Sequence, residues 1–287
     1  MNSVRRRLLQ ALALLPIAAS TQAAPVRKRL PVLFLGHGTP MTALANNDYT
    51  KMLMGLGMRI PKPRAVLAVS ALWQTDWVTG VQAGERPETL HDFVGYPSEL
   101  DRLDYPAPGA PDIAEQAASL IGDPARLFRN QGFDSGVWSV LRHLYPNANI
   151  PVFQVSVDMM QPGAMHWSIG RSLAPLRKEG VLIVCTGNIV HNLQMTDDVP
   201  DSPNATRVWA QSFDMQVARL LGQRRDDRLA LVSNLPYARD AAPTVEHYWP
   251  LLYALGAACN EGAPKTLYTG FQNGTISMRS LLFGTLT

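Results

Sequence analysis

Four short and almost wholly apolar runs are the feature that most constrains the fold of this chain. They are "LPVLFLG" (30–36), "AVLAVS" (65–70), "IPVFQVSVD" (150–158) and "GVLIVCTGN" (180–188). Short, mostly apolar runs of this kind are typical of strands buried on both faces, as in parallel sheets. Segments with apolar residues at helical spacing occur between and after these runs, over 112–121, 165–180, 205–223 and 245–258. We therefore predict a single α/β domain with a central, mostly parallel sheet and helices on both faces.

The first 23 residues have the pattern of a leader. "RRRLLQ", "ALALLPIAAS" and "TQAAP" supply the charged start, the short apolar core and the small-residue cleavage region of a secretory signal peptide. Arg5 and Arg6 resemble a twin-arginine signal, although an ordinary secretory signal with three arginines is the alternative. We predict that residues 1–23 are removed, that the mature domain spans 24–287, and that it is exported to the periplasm. The leader itself is too short to span a membrane, and we expect no transmembrane segment in the mature chain.

Charge and cysteine usage exclude some classes of function. The formal net charge of the whole chain is +3, and the leader alone carries three arginines, so the mature chain is close to neutral. Without a basic stripe, nucleic acid is not an expected partner.

Cys185 and Cys259 could pair in an oxidising compartment, but the position of Cys185 inside an apolar run favours a buried, inert thiol. The oligomeric state has no signal in the sequence.

Three histidines occur at places where this fold class collects ligands. In open α/β sheets, ligands bind beyond the carboxyl ends of the strands. His37 follows the first run between two glycines, Asn188 and His191 follow the fourth run, and His247 comes at the start of the last predicted helix. Imidazoles that converge from separate loops are a common way to build a mononuclear metal site. Spacings this long do not by themselves separate a metal site from scattered structural histidines.

The other histidines have plainer interpretations. His143 lies in a helical stretch beside Arg142, where a structural role is expected. His166 opens a predicted helix, which favours capping or contact with solvent. His91 lies in the loop "HDFVGYP" with Asp92 and two aromatic residues, which suits a substrate wall as well as a turn.

A set of motifs in a fixed order resembles a known enzyme family. They include "PVLFLGHGTPM", "PKPRAVLAVSALW", "HDFVGYPSEL", "GFDSGVWSVL", "GNIVHN" and "PTVEHYWPLLYALGA". Together they resemble the 4,5-DOPA extradiol dioxygenase family, which is similar to the catalytic B subunit of class III extradiol ring-cleavage dioxygenases. The resemblance covers roughly residues 31–285. It implies a single α/β domain that holds Fe(II) or Zn(II), with a catechol-type aromatic substrate and O2 as partners.

The resemblance also assigns roles to individual residues. The ligand histidine of the family's "GHG" loop matches His37, and that of its "PTPEH" motif matches His247, with Val245 where a second proline is usual. The base of its "GN-x-VHN" loop matches His191. The third metal ligand comes from "SAHW" in the family, and here that position is Leu72.

A second position departs from the family pattern. The family's "GFDHG" carries a histidine thought to contact substrate, and this chain has Ser135 there. The resemblance therefore predicts His91, Ser135 and Asn188 as substrate-binding residues and His191 as the catalytic residue. It also predicts metal ligands at His37 and His247, with a third ligand position filled by a side chain that has no lone pair.

Three interpretations of Leu72 stay open on the sequence. In the first, ring cleavage survives because Asp76, His91 or Asp92 replaces the missing ligand. In the second, the chain binds an aromatic ligand without oxygenase chemistry, or uses His191 as a base without a metal. In the third, Leu72 closes the pocket and no activity remains. Outside the family, a periplasmic hydrolase or lyase with His191 as base would also suit an α/β fold, but the commonest hydrolase motif, G-x-S-x-G, does not occur.

Overall fold

The four apolar runs form the centre of one mixed sheet. The computed structural model describes residues 29–91, 93–196 and 206–286. The predicted leader and Asp92 lie outside these described residues. The strands of the described part are β1 (Val32–Gly36), β2 (Ala65–Thr75), β3 (Thr79–Gln82), β4 (Ala125–Phe128), β5 (Val152–Asp158), β6 (Val181–Gly187), β7 (Lys265–Tyr268), β8 (Phe271–Gln272), β9 (Ile276–Ser277) and β10 (Ser280–Phe283).

The strand order of the main sheet is β4-β3-β5-β2-β6-β1-β10-β7. The four predicted strands β5, β2, β6 and β1 are neighbours and all run parallel. Strands β10 and β7 add to one side as antiparallel neighbours. On the other side β3 runs antiparallel to β5, and β4 runs parallel to β3. The prediction of a mostly parallel central sheet is confirmed, and its antiparallel flanks were not foreseen.

Helices cover both faces of the sheet, as predicted. The α-helices are α1 (Asp48–Arg59), α2 (Pro111–Ile121), α3 (Ser135–Leu144), α4 (Gly163–Leu173), α5 (Val208–Gly222), α6 (Asp226–Leu229), α7 (Ala238–Ala241) and α8 (Trp249–Ala257). Short 3₁₀ helices span Pro40–Ala43, Leu100–Arg102, Ala174–Glu179, Leu193–Met195 and Val232–Asn234. No helix of the described part is long and apolar enough to cross a membrane.

The alternation of strand side chains divides the core into two layers. Successive residues of a strand point to opposite faces of the sheet. In β2, Leu67 and Val69 pack into the layer under α2, α4, α5 and α8, whereas Val66 and Ala68 pack into the layer under α1 and α3. Because both faces of β2 are buried, its sequence shows no polar alternation.

Several predicted boundaries and placements differ from the structure. Helix α4 ends at Leu173 and continues as a 3₁₀ helix from Ala174, because Pro175, the second residue after α4, cannot donate a helical hydrogen bond. His247 precedes helix α8 by two residues and is not inside it. The expectation of solvent contact for His166 is wrong, since its ring is fully buried and lies 4.3 Å from the Trp249 ring. Cys185 and Cys259 are both free thiols, and burial raises the pKa of Cys185.

Candidate functional site

A cavity of about 180 Å³ lies at the carboxyl ends of β1, β2 and β6. This position agrees with the rule that ligands of α/β sheets bind beyond the carboxyl ends of the strands. We call it the aromatic cavity. It is lined by His37, Gly38, Thr39, Pro40, Leu72, Phe93, Tyr96, Ser135, Ser139, His191, Leu193 and His247.

His37 is the first residue after β1, and backbone contacts fix its position. Its amide donates to the carbonyl of Gly187, the last residue of the neighbouring strand β6, at 3.3 Å. Gly38 has φ +65°, in the left-handed region that glycine adopts without strain, so the chain turns sharply out of the strand. The His37 side chain is 4% exposed and faces the cavity.

His247 reaches the same place through a close approach to the end of β6. The amide of Asn188 donates to the His247 carbonyl at 2.8 Å. A Cβ atom at Gly187 would lie 2.3 Å from that carbonyl oxygen, so only glycine allows this contact. The position of His247 is therefore set by the residues that follow β6, although the two segments are distant in sequence.

The loop that carries His191 is held by hydrogen bonds on both sides. The His191 amide donates to the Ala241 carbonyl at 2.8 Å, and the Ser277 amide donates to the Val190 carbonyl at 2.9 Å. Asn188 Nδ2 donates to the Ser277 carbonyl at 2.9 Å. Asn188 is buried and does not line the aromatic cavity; its Oδ1 atom has no hydrogen-bond partner among the described residues. A contact between Asn188 and a substrate stays a prediction.

Leu72 lies inside strand β2, which continues to Thr75, beyond the apolar run 65–70 that predicted it. The parallel register between β2 and β5 breaks between Val69 and Gln74, so Leu72 lies in a bulged part of the strand. Its amide donates to Ser70 Oγ at 3.1 Å, and that hydroxyl donates to Asp134 Oδ1 at 2.7 Å. This network fixes the backbone of the bulge and directs the Leu72 side chain into the cavity lining.

The three histidines converge at one point of the cavity. The distance from His37 Nε2 to His247 Nδ1 is 3.1 Å, a hydrogen bond between two buried rings. The rings of His191 and His247 are stacked, with centroids 3.4 Å apart and planes 16° from parallel. The sequence-based expectation that His37, His191 and His247 lie together is met, and their roles as ligands and base stay predictions.

Burial keeps all three imidazoles neutral. Burial first, and then the nearby His191, lowers the pKa of His37 to about 3. Burial also lowers the pKa of His191 to about 4, and it lowers that of His247 well below its usual value, with His191 and His37 contributing. A neutral imidazole has a free lone pair, which is the form that binds metals.

Two side chains of this site, His37 and His247, are suited to bind a divalent metal, and Leu72 at the third predicted ligand position is not. Two nitrogens bound to one zinc ion at about 2.0–2.1 Å, with an angle between a right angle and tetrahedral, lie about 2.9–3.4 Å apart. The 3.1 Å between His37 Nε2 and His247 Nδ1 falls within that range. Leu72 supplies no donor at the remaining position, and no group of three or more His, Cys, Asp or Glu side chains suited to a metal occurs in the described ranges. The donor set is therefore incomplete.

None of the proposed substitute ligands in the described part reaches the cavity lining. Asp76 is exposed and does not line the cavity. His91 is exposed, and its Nε2 bonds the Leu103 carbonyl at 2.9 Å. Glu246 Oε1 lies 3.8 Å from Nε2 of His247, the ring nitrogen that does not face His37. These placements weaken the hypothesis of a replaced ligand.

The lining also contains residues beyond the numbered candidates, among them the two aromatic residues of the loop for which the sequence suggested a substrate wall or a turn. Phe93 and Tyr96 form an aromatic wall with ring centroids 5.8 Å apart, and they belong to the loop in which His91 was the candidate. Ser135 lines the cavity as expected, and Ser139 joins it one helical turn later. A helix that starts at Ser135 places residues four apart on one face, so this spacing was the signal for Ser139.

Comparison with known proteins agrees with this architecture. The family model of the catalytic LigB subunit of aromatic ring-opening dioxygenase matches residues 33–283. A "4,5-DOPA dioxygenase extradiol" from Escherichia coli K12 is 43% identical over 261 residues, covering 89% of this chain and 95% of that protein. One of the same name from Portulaca grandiflora is 35% identical, covering 87% and 94%.

A solved structure has the same fold. The crystal structure of an uncharacterized protein from Escherichia coli K12 superposes with a TM-score of 0.77 at 40% identity, covering 89% of this chain and 100% of that one. Fold and sequence thus agree over nearly all the described residues. The chain belongs to the family of the catalytic LigB subunit of aromatic ring-opening dioxygenases.

Proposed function

We propose that this protein binds a small catechol-type aromatic in the aromatic cavity without the ring-opening step for which its family is named. The observation that carries this proposal is the apolar Leu72 side chain in the lining of a cavity that also contains three imidazoles and two aromatic rings. Binding sites for small aromatics combine apolar walls with a few placed polar groups. Here Phe93 and Tyr96 supply the wall, while Ser135 and Ser139 supply hydroxyl groups for the two oxygens of a catechol.

Metal-free proton transfer by His191 is less well supported than binding. Burial lowers the pKa of His191 to about 4, because an imidazolium is poorly solvated there. A general base works best when its pKa lies near the operating pH. His191 is thus better suited to contact a ligand as a neutral ring than to remove a proton from it.

Ring opening with O2 at a mononuclear Fe(II), or a Zn(II)-bound form of the same site, is the second candidate. The specific observation in its favour is the 3.1 Å between His37 Nε2 and His247 Nδ1, a spacing suited to two ligands of one metal. A bound iron would supply the redox chemistry with O2. Two protein ligands do not complete such a site, so we derive no reaction step through it.

One experiment separates the two candidates. Purified protein is titrated with 4-methylcatechol in the presence of a chelator, and a second sample is loaded anaerobically with Fe(II) and then exposed to catechols in air. We expect saturable binding with chelator, weaker binding of the dimethyl ether of catechol, and no yellow ring-opened product. Stoichiometric iron together with yellow product would overturn the proposal in favour of ring opening. The absence of catechol binding in both samples would overturn both.

A matched pair of variants ties the binding to this cavity. Ser139→Leu fills the cavity with an apolar side chain, whereas Ser168→Leu makes the same change on the exposed surface of α4. Binding is expected to be lost only in Ser139→Leu, with both variants checked for folding by circular dichroism. Equal binding by both would place the ligand elsewhere.

The cellular location is also a proposal. The charged start, apolar core and small-residue end of residues 1–23 support export to the periplasm through a twin-arginine route. Fractionation of cells that express the full chain, with Arg5 and Arg6 replaced together by Lys in a control, tests it. Mature protein in the periplasm only with the arginines present is expected; equal export of both forms would contradict the twin-arginine route.

A further inference from the structure

One buried carboxylate joins two segments that together form a wall of the aromatic cavity. The first segment is the bulge of β2, which carries Leu72, and the second is the start of α3, which carries Ser135 and Ser139. Asp134 is the residue before α3, and it is 2% exposed. It does not itself line the cavity, so any effect on a ligand has to act through the residues that do.

The connection from Asp134 to β2 passes through a single hydroxyl group. Ser70 Oγ donates to Asp134 Oδ1 at 2.7 Å and accepts from the Leu72 amide at 3.1 Å. A hydroxyl has one proton, and because that proton is directed to the carboxylate, the oxygen lone pairs are left for the amide. The carboxylate therefore fixes the orientation of the hydroxyl that holds the backbone of Leu72.

The same carboxylate oxygen caps α3. The Val137 amide donates to Asp134 Oδ1 at 3.1 Å, as is usual for an aspartate at the residue before a helix. The start of the helix also packs directly on the bulge, since a Cβ atom at Gly136 would lie 2.7 Å from Ser70 Oγ and would displace that hydroxyl. The direction of the first turn of α3, which carries two hydroxyl groups of the cavity, is thus tied to Asp134.

The second carboxylate oxygen is bound from β5. Gln154 Nε2 donates to Asp134 Oδ2 at 2.7 Å, and the Asp134 amide donates to Gln154 Oε1 at 3.3 Å. Gln154 is fully buried on β5, the strand next to β2. Because a backbone amide can only donate, it fixes Gln154 Oε1 on its own side and leaves the Nε2 donor for the carboxylate.

Three donors from three elements therefore meet on one carboxylate. They are Ser70 Oγ, the Val137 amide and Gln154 Nε2. An ionised carboxylate accepts at both oxygens and has no proton to donate, whereas a carboxamide presents one donor and one acceptor. Hydrogen bonds to a charged acceptor are also the stronger kind. An ionised aspartate at residue 134 thus accepts all three bonds at once, which an asparagine in the same position does not.

We propose that Asp134 is a positioning residue for ligand binding, whose ionised carboxylate sets the spacing between the Leu72 bulge and the hydroxyl groups of α3. This inference rests on the proposed binding of a catechol-type ring in the aromatic cavity. It adds a residue that touches no ligand and acts through Ser70 and through the direction of α3. Polar groups of a binding site have to be held within a fraction of an ångström, so the effect concerns affinity and the recognition of the catechol hydroxyls.

The first test removes the charge and keeps the shape. Asp134→Asn leaves a residue that caps helices well, but its amide nitrogen faces one of the three donors. Binding of 4-methylcatechol, measured by calorimetry, is expected to weaken about tenfold or more, as for the loss of one hydrogen bond to a charged group. The preference for 4-methylcatechol over its dimethyl ether is expected to shrink as well, because the hydroxyl groups of the wall have moved.

A second change is expected to restore the network. In the double variant Asp134→Asn with Gln154→Glu, the new carboxylate accepts from the backbone amide of residue 134 and from the asparagine nitrogen. All four hydrogen bonds then return, with the charge on the other partner, and the affinity is expected to come back to within about threefold of the unaltered protein. Gln154→Glu alone places two carboxylates side by side and is expected to weaken binding.

A matched control separates positioning from general stability. Asp158 is also buried, accepts from the amides of Trp77 and Met160 and does not line the cavity. Asp158→Asn should lower the free energy of unfolding in urea and leave the dissociation constants of both ligands unchanged. If Asp134→Asn does not fold, Ser70→Ala takes its place, because it breaks only the connection to β2 and is also expected to weaken binding.

The outcomes separate this inference from the function on which it rests. If the unaltered protein binds 4-methylcatechol and folded Asp134→Asn, or Ser70→Ala in its place, binds it equally well, Asp134 has no positioning role and the aromatic site stands. A double variant that binds as weakly as Asp134→Asn, or an equal loss in Asp158→Asn, would also overturn the inference. If the unaltered protein binds no catechol, the proposed function fails and the inference falls with it.

Discussion

Leu72 lies close to Ser135, the other position that departs from the family pattern. It lies beside Gly136, where a Cβ atom would lie 3.4 Å from Leu72 Cδ1, and Gly136 follows Ser135, the other position that departs from the family pattern. The two departures are therefore neighbours in space as well as parts of one cavity lining. The two positions at which the family resemblance predicts histidines, Leu72 and Ser135, thus lie on the same wall of the cavity.

Restoring an imidazole at this position is a direct test at the scale of one residue. Leu72→His should raise the affinity for Zn²⁺ about tenfold or more, because loss of even a partner of a ligand costs about 10–100-fold. Calorimetric titration with Zn²⁺ measures the change, with Leu231→His as the control for an added surface imidazole. An affinity equal to that of the unaltered chain would mean that the bulge in β2 holds residue 72 out of ligand distance.

At the scale of elements, a buried ion pair supports the loop that carries His191. Arg279 Nε lies 3.0 and 3.1 Å from the two carboxylate oxygens of Asp214 on α5. Asp214 also accepts from Ser277 Oγ, and Ser277 belongs to β9, which bonds the Val190 carbonyl. The pair therefore fixes β9, and β9 fixes the loop.

Removing one partner of this pair should be costly. Asp214→Ala leaves the Arg279 guanidinium buried and unpaired, which is expected to lower the free energy of unfolding by about 3–5 kcal/mol. Asp227→Ala breaks a similar pair with Arg225 on the exposed surface and should change little. Urea unfolding of both variants measures the difference. Similar stability of the two variants would show that the buried pair is not a main support.

The central strands could be predicted from the sequence, and the sheet edges could not. Strands β1, β2 and β6 are buried on both faces, so a mostly apolar run marks each of them, and β5 keeps apolar residues between its buried Gln154, Ser156 and Asp158. Strand β4 is four residues long and mostly exposed, and β7 has the mixed sequence "KTLY". Such short segments carry no periodicity that separates a strand from a loop.

The candidate site also has parts that could be predicted from the sequence and parts that could not. His37 and His191 could be placed because each follows a recognisable strand. Phe93, Tyr96 and Leu193 come from segments without a periodic pattern, and only folding brings them to the cavity. The contact of His247 with the end of β6 depends on a backbone approach at Gly187, which no local pattern encodes.

At the scale of the whole molecule, buried histidines link stability to pH. His37, His166 and His191 are buried, with pKa values lowered to about 3, 4 and 4. Burial is the main cause in each case. In the unfolded chain the pKa of histidine is about 6.5, so below that pH the unfolded state binds more protons than the folded state.

The unfolding free energy should therefore fall as the pH is lowered from about 6.5 toward 4. Each of these histidines contributes up to about 1.4 kcal/mol per pH unit over that range, and almost nothing above about pH 8, where it is neutral in both states. Urea unfolding at a series of pH values measures the slope. His166→Phe should reduce it; a stability that stays constant from pH 7 to pH 5 would be at odds with neutral, buried rings.

The hydrogen bond between His37 and His247 gives each of the two facing ring nitrogens a partner without a metal ion. A buried ring nitrogen without a partner would cost about 1–3 kcal/mol, and here each ring supplies the partner of the other. An arriving cation has to displace the proton that the two rings share before it can be held. These two nitrogens therefore have partners without a metal ion, and we expect the chain to fold with nothing bound between the two rings.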